Sequence, residues 1–331
     1  MENVKDEVIL VTGVAGFIGS HIAEECLKIG YKVKGIDNFC NGTRENIKSL
    51  LQSKNFEFYE GNIVDFETCL KICKNVSYVF HEAALGSVPR SIKEPLKYTK
   101  NNIVGMHNML EAALKCNIKK FIYASSSSVY GDNLDTKKRI GREGNVLSPY
   151  ALTKKVDEEM AKLYFQIYGL NTIGLRYFNV FGERQKINSI YAAVIPKFIN
   201  SIINNQEIVI YGDGNQSRDF TYVKNIVNAN VSIIKNDNKN ILGKVYNVAC
   251  ENSITINELY EKISNYLNKK TVVRYSEKRK GDIERSMADL LKTKNELNYV
   301  PLYDFDFGIK KTIEWFLQEN KKRNDTIEDD I

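Results

Sequence analysis

Along the first half of the chain, apolar and polar positions switch repeatedly between two periods. Short apolar runs near 8–12, 32–36, 56–60, 77–81, 119–124 and 171–177 read as strands, and the stretches between them read as helices of the Ile18, Ile22, Leu27 type. This alternation predicts a doubly wound α/β domain. Beyond Asn179 the spacing becomes irregular, with a helix around Lys197–Ile203 after its proline start, a short strand at Ile208–Tyr211 and a helix at Ile226–Ile234. Lys235–Asn240 reads as a surface loop, and the charged tail Lys321–Ile331 is expected to fray. There is no internal repeat.

The first strand runs straight into Gly13-Val14-Ala15-Gly16-Phe17-Ile18-Gly19, with a glycine at every third position. Gly13 would permit a tight turn, Gly16 the close approach of a pyrophosphate, and Gly19 the packing of helix on strand. The phosphates would then sit at the helix N-terminus, which Phe17 and Ile18 open. Asp37 closes the second strand at the distance where a carboxylate meets adenosine ribose hydroxyls. A carboxylate there repels a 2′-phosphate and so favours NAD over NADP, a preference that Arg44 would blur. The bland alternative, a glycine-rich turn with no ligand, is outweighed by strand, helix and acid together.

Ser148-Pro149-Tyr150-Ala151-Leu152-Thr153-Lys154 adds reactive chemistry. Ser148 can cap a helix whose first position suits Pro149, and Tyr150 and Lys154 then share one helical face. An ammonium, a helix N-terminus and a cationic ring would each favour ionised tyrosine, which makes a proton-abstracting phenol plausible. Taken alone, the pair reads as a chance meeting on a solvated helix. A third element is the strand Phe121–Ala124, which ends in Ser125-Ser126-Ser127-Ser128-Val129-Tyr130-Gly131 and so places hydroxyls beyond the carboxyl end of a parallel sheet, where ligands bind. Without its neighbours this serine run would read as loop.

Composition narrows the class. A chain of 331 residues with 43% hydrophobic content can bury a real core and has room for two domains, or for one domain plus a lobe. The net charge of +6 is spread out rather than striped, so no nucleic-acid footprint is expected. Six scattered cysteines and a start at Met-Glu-Asn without a leader imply a reducing cytoplasm. Cys69 and Cys73 have no partner pair at ligand spacing and the three histidines lie far apart, so no metal site is expected. No apolar run approaches the length of a bilayer crossing, so no membrane association is expected.

The glycine triplet, Asp37, the serine run and Tyr-x-x-x-Lys, in this order, resemble the extended short-chain dehydrogenase/reductase family. More narrowly, His81-Glu82-Ala83-Ala84-Leu85-Gly86-Ser87-Val88-Pro89-Arg90-Ser91, Arg176-Tyr177-Phe178-Asn179-Val180-Phe181-Gly182 and Tyr191-Ala192-Ala193-Val194-Ile195-Pro196 resemble the bacterial UDP-N-acetylglucosamine 4-epimerases. So do Gly212-Asp213-Gly214 with Ser217-Arg218-Asp219-Phe220, and Gly281-Asp282 ahead of Ser286. The resemblance covers roughly residues 7 to 318.

The resemblance implies a Rossmann NAD-binding domain over residues 1–178, completed by about 224–250, where Val245–Val248 returns to the main sheet. A smaller, discontinuous α/β lobe over 179–223 and 251–331 would bind the UDP-sugar. It also implies a homodimer through helices covering Leu96–Cys116 and Tyr150–Tyr168. Tyr150 would take the proton of the sugar 4-hydroxyl, directly or through Ser126, while Lys154 supports the tyrosine and holds the nicotinamide ribose. The sugar would pass through a 4-ketone, rotate and be reduced on its other face, so NAD stays bound throughout.

By the same resemblance, Asn38, Asn41 and Gly42 help Asp37 with adenosine, Asn62 and Ile63 flank adenine, Ala83 and Asn102 line the cofactor channel, and Tyr177 lies near nicotinamide. Many relatives carry Asp where this chain has Asn62. Asn179, Ala193, Val194, Tyr211, Arg218, Arg279 and Asp282 match positions that grip UDP, for which a slight positive charge is suited. Ser286 stands where a bulky tyrosine restricts relatives to unacetylated hexoses, and its small side chain would admit a 2-acetamido group, with Ser87, Ser127 and Ser128 supplying hydroxyls. A 4,6-dehydratase would need an Asp-Glu pair where this chain has Ser127-Ser128. Uronate-directed enzymes, whether epimerases or decarboxylases, and a non-catalytic NAD sensor of the same fold stay open as alternatives.

Overall fold

The computed structural model describes residues 6–186, 193–278 and 284–329. Seven parallel strands form one sheet: β1 Val8–Thr12, β2 Lys32–Asp37, β3 Phe56–Glu60, β4 Tyr78–His81, β5 Lys120–Ser126, β6 Thr172–Tyr177 and β7 Lys244–Val248. Their order is β3-β2-β1-β4-β5-β6-β7. Consecutive strands therefore run outward from β1 in one direction and then from β4 in the other, and the reversal leaves a crevice at the carboxyl ends of β1 and β4. The six strands read from the apolar runs are all present. Lys244–Val248 joins as the seventh, pairing with β6 from Lys244↔Ile173 to Val248↔Tyr177.

Both faces of the sheet are covered, because neighbouring residues of each strand enter different cores. Ile9 and Val11 pack with Phe80, Ile122, Ile226 and Ile233, whereas Leu10 packs on the other face with Val79, Phe121, Met109 and Leu110. Each such side chain stabilises the fold by roughly 1.5–3 kcal/mol relative to exposure. A third core, around Phe181, Phe198, Phe220, Leu259, Phe305 and Phe316, belongs to the smaller lobe. That lobe is built on a four-stranded sheet in the order Ser253–Thr255, Ser217–Asp219, Arg285–Ala288, Lys137–Lys138.

Several boundaries differ from the sequence reading. The helix expected at 197–203 starts at Val194, since Pro196 falls in the first turn, where a missing N–H is harmless. The Ile226 helix begins at Val223. The stretch Leu96–Cys116 is divided into Pro95–Tyr98, a π-helical turn Thr99–Val104 and Gly105–Lys115. The tail expected to fray from Lys321 instead continues the helix Phe305–Asp329: lysine, glutamate and arginine are good helix formers, and Lys322 pairs with Glu319 at 2.7 Å. The helix Ile256–Leu267 went unread although Thr255 and Glu258 form a complete capping box, a signal present in the sequence. No helix among the described residues is long and apolar enough to cross a membrane.

Candidate active site

The turn after β1 exists because its glycines carry no Cβ. Gly13 adopts φ +68°, and a Cβ there would stand 2.8 Å from the Ala83 backbone. A Cβ on Gly16 would be 2.9 Å from the Gly13 carbonyl oxygen, and one on Gly19 would be 2.4 Å from it. Strand, turn and the helix Phe17–Lys28 are therefore packed backbone to backbone, with Phe17 and Ile18 in the first helical turn and free N–H groups at its start. Gly42 closes the same turn from the far side, where a Cβ would lie 2.6 Å from the Ala15 carbonyl carbon.

Gly13, Gly16, Asp37, Asn38, Asn41, Gly42, Asn62, Ile63 and Ala83, all expected at the dinucleotide, line one crevice. Asp37 is fixed there: Oδ2 accepts from Ala15 N at 3.0 Å and Oδ1 from Phe39 N at 2.7 Å. Burial raises its carboxyl above the usual range, and these backbone donors oppose the shift. The amide oxygen of Asn62 already accepts from Val64 N at 3.0 Å, and that of Asn38 from Cys40 N at 3.1 Å. Arg44 donates to Glu60 at 2.6 Å and lies 4.7 Å above the Phe39 ring. Its guanidinium is thus engaged with Glu60 rather than with Asp37. A cradle that no Cβ could enter, helix N–H groups at its base and a fixed acid at β2 fit NAD.

The helix Pro149–Tyr168 carries the reactive pair. Ser148 Oγ accepts from Ala151 N at 3.1 Å and Pro149 takes the first position, as the spacing predicts. Lys154 is buried, and its Nζ donates to the Ala124 carbonyl at 2.8 Å and pairs with Asp157 at 3.3 Å. Burial works against its charge, but Asp157 and the nearby Tyr150 outweigh it and raise the lysine. Burial in turn pushes the Asp157 carboxyl up to about 7, with Lys154 opposing. Tyr150 meets the buried Tyr98 ring edge-on at 6.3 Å, and the Tyr98 hydroxyl accepts from Ser87 N at 3.1 Å. Ser126 ends β5 as the register partner of Tyr177, and its Oγ accepts from Ser128 N at 3.1 Å. The Ser128 hydroxyl is buried and has no partner.

Sequence reasoning missed the supports of these groups. Asn102, expected in the cofactor channel, is buried and fully engaged: its amide accepts from Leu85 N at 2.9 Å and donates to Leu85 O at 3.1 Å and to Thr153 Oγ1 at 3.0 Å. Thr153 Oγ1 donates in turn to the Tyr150 carbonyl at 2.8 Å, which joins the loop after β4 to the reactive helix. Thr12 Oγ1 bonds His81 Nδ1 at 3.0 Å and accepts from Ala83 N at 3.1 Å. Arg176 forks onto Glu158 at 2.8 and 2.7 Å beneath Tyr130, and Ser125 Oγ donates to the same carboxylate at 2.5 Å. Glu82 lines the crevice beside Ala83, and its carboxylate accepts from the Tyr177 hydroxyl at 2.8 Å. Apart from the Thr153–Tyr150 bond within one helix, these contacts join residues on elements far apart in sequence, so no local pattern announces them.

A larger cleft opens next to the crevice, between the loop at Ser87 and the smaller lobe. Ser87, Asn179, Ala193, Val194, Tyr211 and Arg218 line it together, and Lys93 and Lys197 add positive charge. Asn179 takes φ +34° and donates to the Asp219 carbonyl at 3.0 Å. Ser286, 7% exposed, is the register partner of Arg218. Arg279 and Asp282 lie outside the described residues.

Residues 9–249 match the sequence profile described as the NAD dependent epimerase/dehydratase family. A UDP-N-acetylglucosamine 4-epimerase from Methanobrevibacter ruminantium M1, solved in complex with UDP-N-acetylmuramic acid, is 43% identical, with a TM-score of 0.90 over 95% of this chain and 99% of that one. The UDP-glucose 4-epimerase of Thermotoga maritima with UDP-glucose is 34% identical, with a TM-score of 0.87 over 94% and 99%. The UDP-glucuronic acid 4-epimerase of Bacillus cereus, in complex with UDP-glucuronic acid and NAD, is 31% identical, with a TM-score of 0.86 over 94% and 99%. With that profile matched over most of the chain, and with a glycine cradle, an acid at β2 and a Tyr150–Lys154 helix present, the chain belongs to the NAD-dependent epimerase/dehydratase family.

Proposed function

We propose that this protein is a UDP-sugar 4-epimerase that interconverts UDP-N-acetylglucosamine and UDP-N-acetylgalactosamine, with UDP-glucose and UDP-galactose as secondary substrates. The observation that carries this reading is Tyr150 on one helical face with a buried, charged Lys154, whose ammonium acts on Glu82 of the crevice suited to NAD. In this reading residues 1–178 and about 224–250 hold the cofactor, and 179–223 with 251–331 hold the UDP-sugar.

When bound, NAD supplies a hydride acceptor that takes the C4 hydrogen and gives it back, so that the sugar passes through a 4-ketone and net redox is unchanged. Tyr150 withdraws the proton of the 4-hydroxyl and later returns it, and Ser126 orients the hydroxyl and then the ketone. Lys154 offsets negative charge on the phenol oxygen and, with its remaining N–H, meets the ribose. Arg218, with Arg279 by family resemblance, suits the diphosphate.

The acetylated substrate is supported by Ser286, a small side chain beside Arg218, and by the unpartnered Ser128 hydroxyl, which an amide could use. Uronates are the second reading, favoured by Lys93 and Lys197 on the cleft. A homodimer through the helices of Leu96–Cys116 and Tyr150–Tyr168 belongs to the same proposal, supported by exposed Leu96, Leu152, Leu163 and Ile167.

The test is incubation of purified protein, without added cofactor, with UDP-N-acetylglucosamine, UDP-glucose and the matching uronates, followed by separation of C4 epimers. Conversion should be fastest for UDP-N-acetylglucosamine. Tyr150→Phe should keep its NAD and lose about 10²–10⁴-fold in rate. Full activity in that variant would remove Tyr150 from the chemistry, and NAD binding with no turnover of any UDP-sugar would indicate a sensor.

A further inference from the structure

One carboxyl at the cofactor crevice takes no part in the proton transfer described above. Glu82 follows β4 directly and faces the crevice with Gly13 and Ala83. Its Oε1 accepts from the Tyr177 hydroxyl at 2.8 Å, and that hydroxyl accepts from Asn230 Nδ2 at 2.8 Å. The direction of this relay is fixed. Asn230 Nδ2 also donates to the Ile226 carbonyl at 2.9 Å, and a carbonyl can only accept, so the amide nitrogen faces Tyr177 and the single phenol hydrogen goes to Glu82. Tyr177 and Asn230 are both buried, so the carboxyl is gripped from beneath by groups that cannot turn to water.

Burial pushes the Glu82 carboxyl up to about 7, against the Tyr177 hydrogen bond and the Lys154 ammonium, which pull it down. The titratable groups around it are Tyr177 from β6, Lys154 from the Pro149–Tyr168 helix with Asp157 behind it, and His81 on its own strand. His81 is neutral near neutral pH, since burial and then Lys154 hold it down to about 3.

We propose that Glu82 sets the redox poise of the bound dinucleotide: its carboxylate stabilises the cationic, oxidised nicotinamide over the neutral, reduced one, and this preference vanishes when the carboxyl is protonated. The inference rests on the functional reading above, with Tyr150 and Lys154 at the reacting end of the cofactor, and on the expectation from the family resemblance that Tyr177 lies near the nicotinamide. It adds a property that the epimerisation scheme does not require. A glutamine here could accept the same Tyr177 hydrogen bond without supplying the charge.

The experiment is a redox titration of purified holoenzyme against dyes from about pH 6 to about pH 9, reading reduced nicotinamide by its absorbance, for wild type and Glu82→Gln. At about pH 8.5 the variant should favour the reduced cofactor roughly tenfold more than wild type, a rise of about 30 mV in midpoint for a two-electron couple. The two should converge near pH 6, where the wild-type carboxyl is protonated. Equal midpoints at about pH 8.5 would overturn the inference and leave the epimerase reading intact. If Glu82→Gln fails to fold, wild type alone decides: its midpoint should bend with pH near neutrality relative to free NAD, and a curve parallel to free NAD would overturn the inference. A protein that carries no dinucleotide would sink both readings at once.

Discussion

At the scale of one side chain, the proposed preference for acetylated sugars rests on Ser286. It is buried and is the register partner of Arg218, a residue that lines the cleft proposed to take the UDP-sugar, so a larger group there would crowd that edge of the cleft. Ser286→Tyr should suppress turnover of UDP-N-acetylglucosamine by about tenfold or more while sparing UDP-glucose, because the acetamido group needs the volume that the ring takes up. Kinetics on both substrates measure this, and equal loss on both would refute the gate. Of the residues expected from motif and resemblance, those of the glycine turn and β2 do come together in one crevice. The supporting roles were not legible: Thr12 and Thr153 act through Ala83 and Asn102 on other elements, Asn102 was named only from the resemblance and for another role, and Asp157 pairs with Lys154 on its own helix only because both are buried there.

Among the elements, the helix Pro149–Tyr168 serves two surfaces. Its inner face carries Lys154, Asp157 and Glu158 into the sheet, while Leu152, Leu163 and Ile167 are 49%, 49% and 65% exposed on the outside. At 100° per residue these three fall within about a 60° arc, an apolar stripe of the kind that packs against another helix. Leu96 and Val104 leave further apolar surface on the neighbouring stretch. Replacing Leu163 and Ile167 together with aspartate should convert the proposed homodimer to a monomer in light scattering without loss of helix content. An unchanged mass in the double variant would place the interface elsewhere. The π-helical turn Thr99–Val104 lay beyond sequence reasoning, since nothing in Thr-Lys-Asn-Asn-Ile-Val forbids a regular helix. It is the register at which the Asn102 amide meets Leu85 and Thr153.

Stability of the whole molecule depends on groups that the fold holds uncharged. His81 is 2% exposed, bonded to Thr12 and held down to about 3 by burial and Lys154. A histidine depressed in the folded state contributes stability that is complete above its unfolded value near 6.5 and is lost as pH falls toward the folded one. In His81→Asn, which can keep a hydrogen bond to Thr12, this contribution is missing at every pH. The deficit of the variant relative to wild type should therefore narrow by up to about 3 kcal/mol between pH 7 and pH 4 in denaturant titrations. A deficit constant over that window would show that the imidazole does not titrate on unfolding. Burial acts in the opposite sense on Asp219, pushed up to about 6, which adds stability below its unfolded value and loses it as pH rises through 6. Comparing variant with wild type isolates the histidine from such opposing groups.

The sequence by itself determined the parallel sheet, the dinucleotide turn and the Tyr150–Lys154 spacing, because each is a local pattern: an apolar run, glycines three apart, or two residues one helical turn apart behind a serine cap. Only the tertiary structure decided which groups answer one another across the crevice. Glu82 with Tyr177 and Asn230, Arg44 with Glu60, and Ser286 beside Arg218 are meetings between residues distant in the chain. Their charge states and orientations follow from burial and partners that exist only once the strands are side by side.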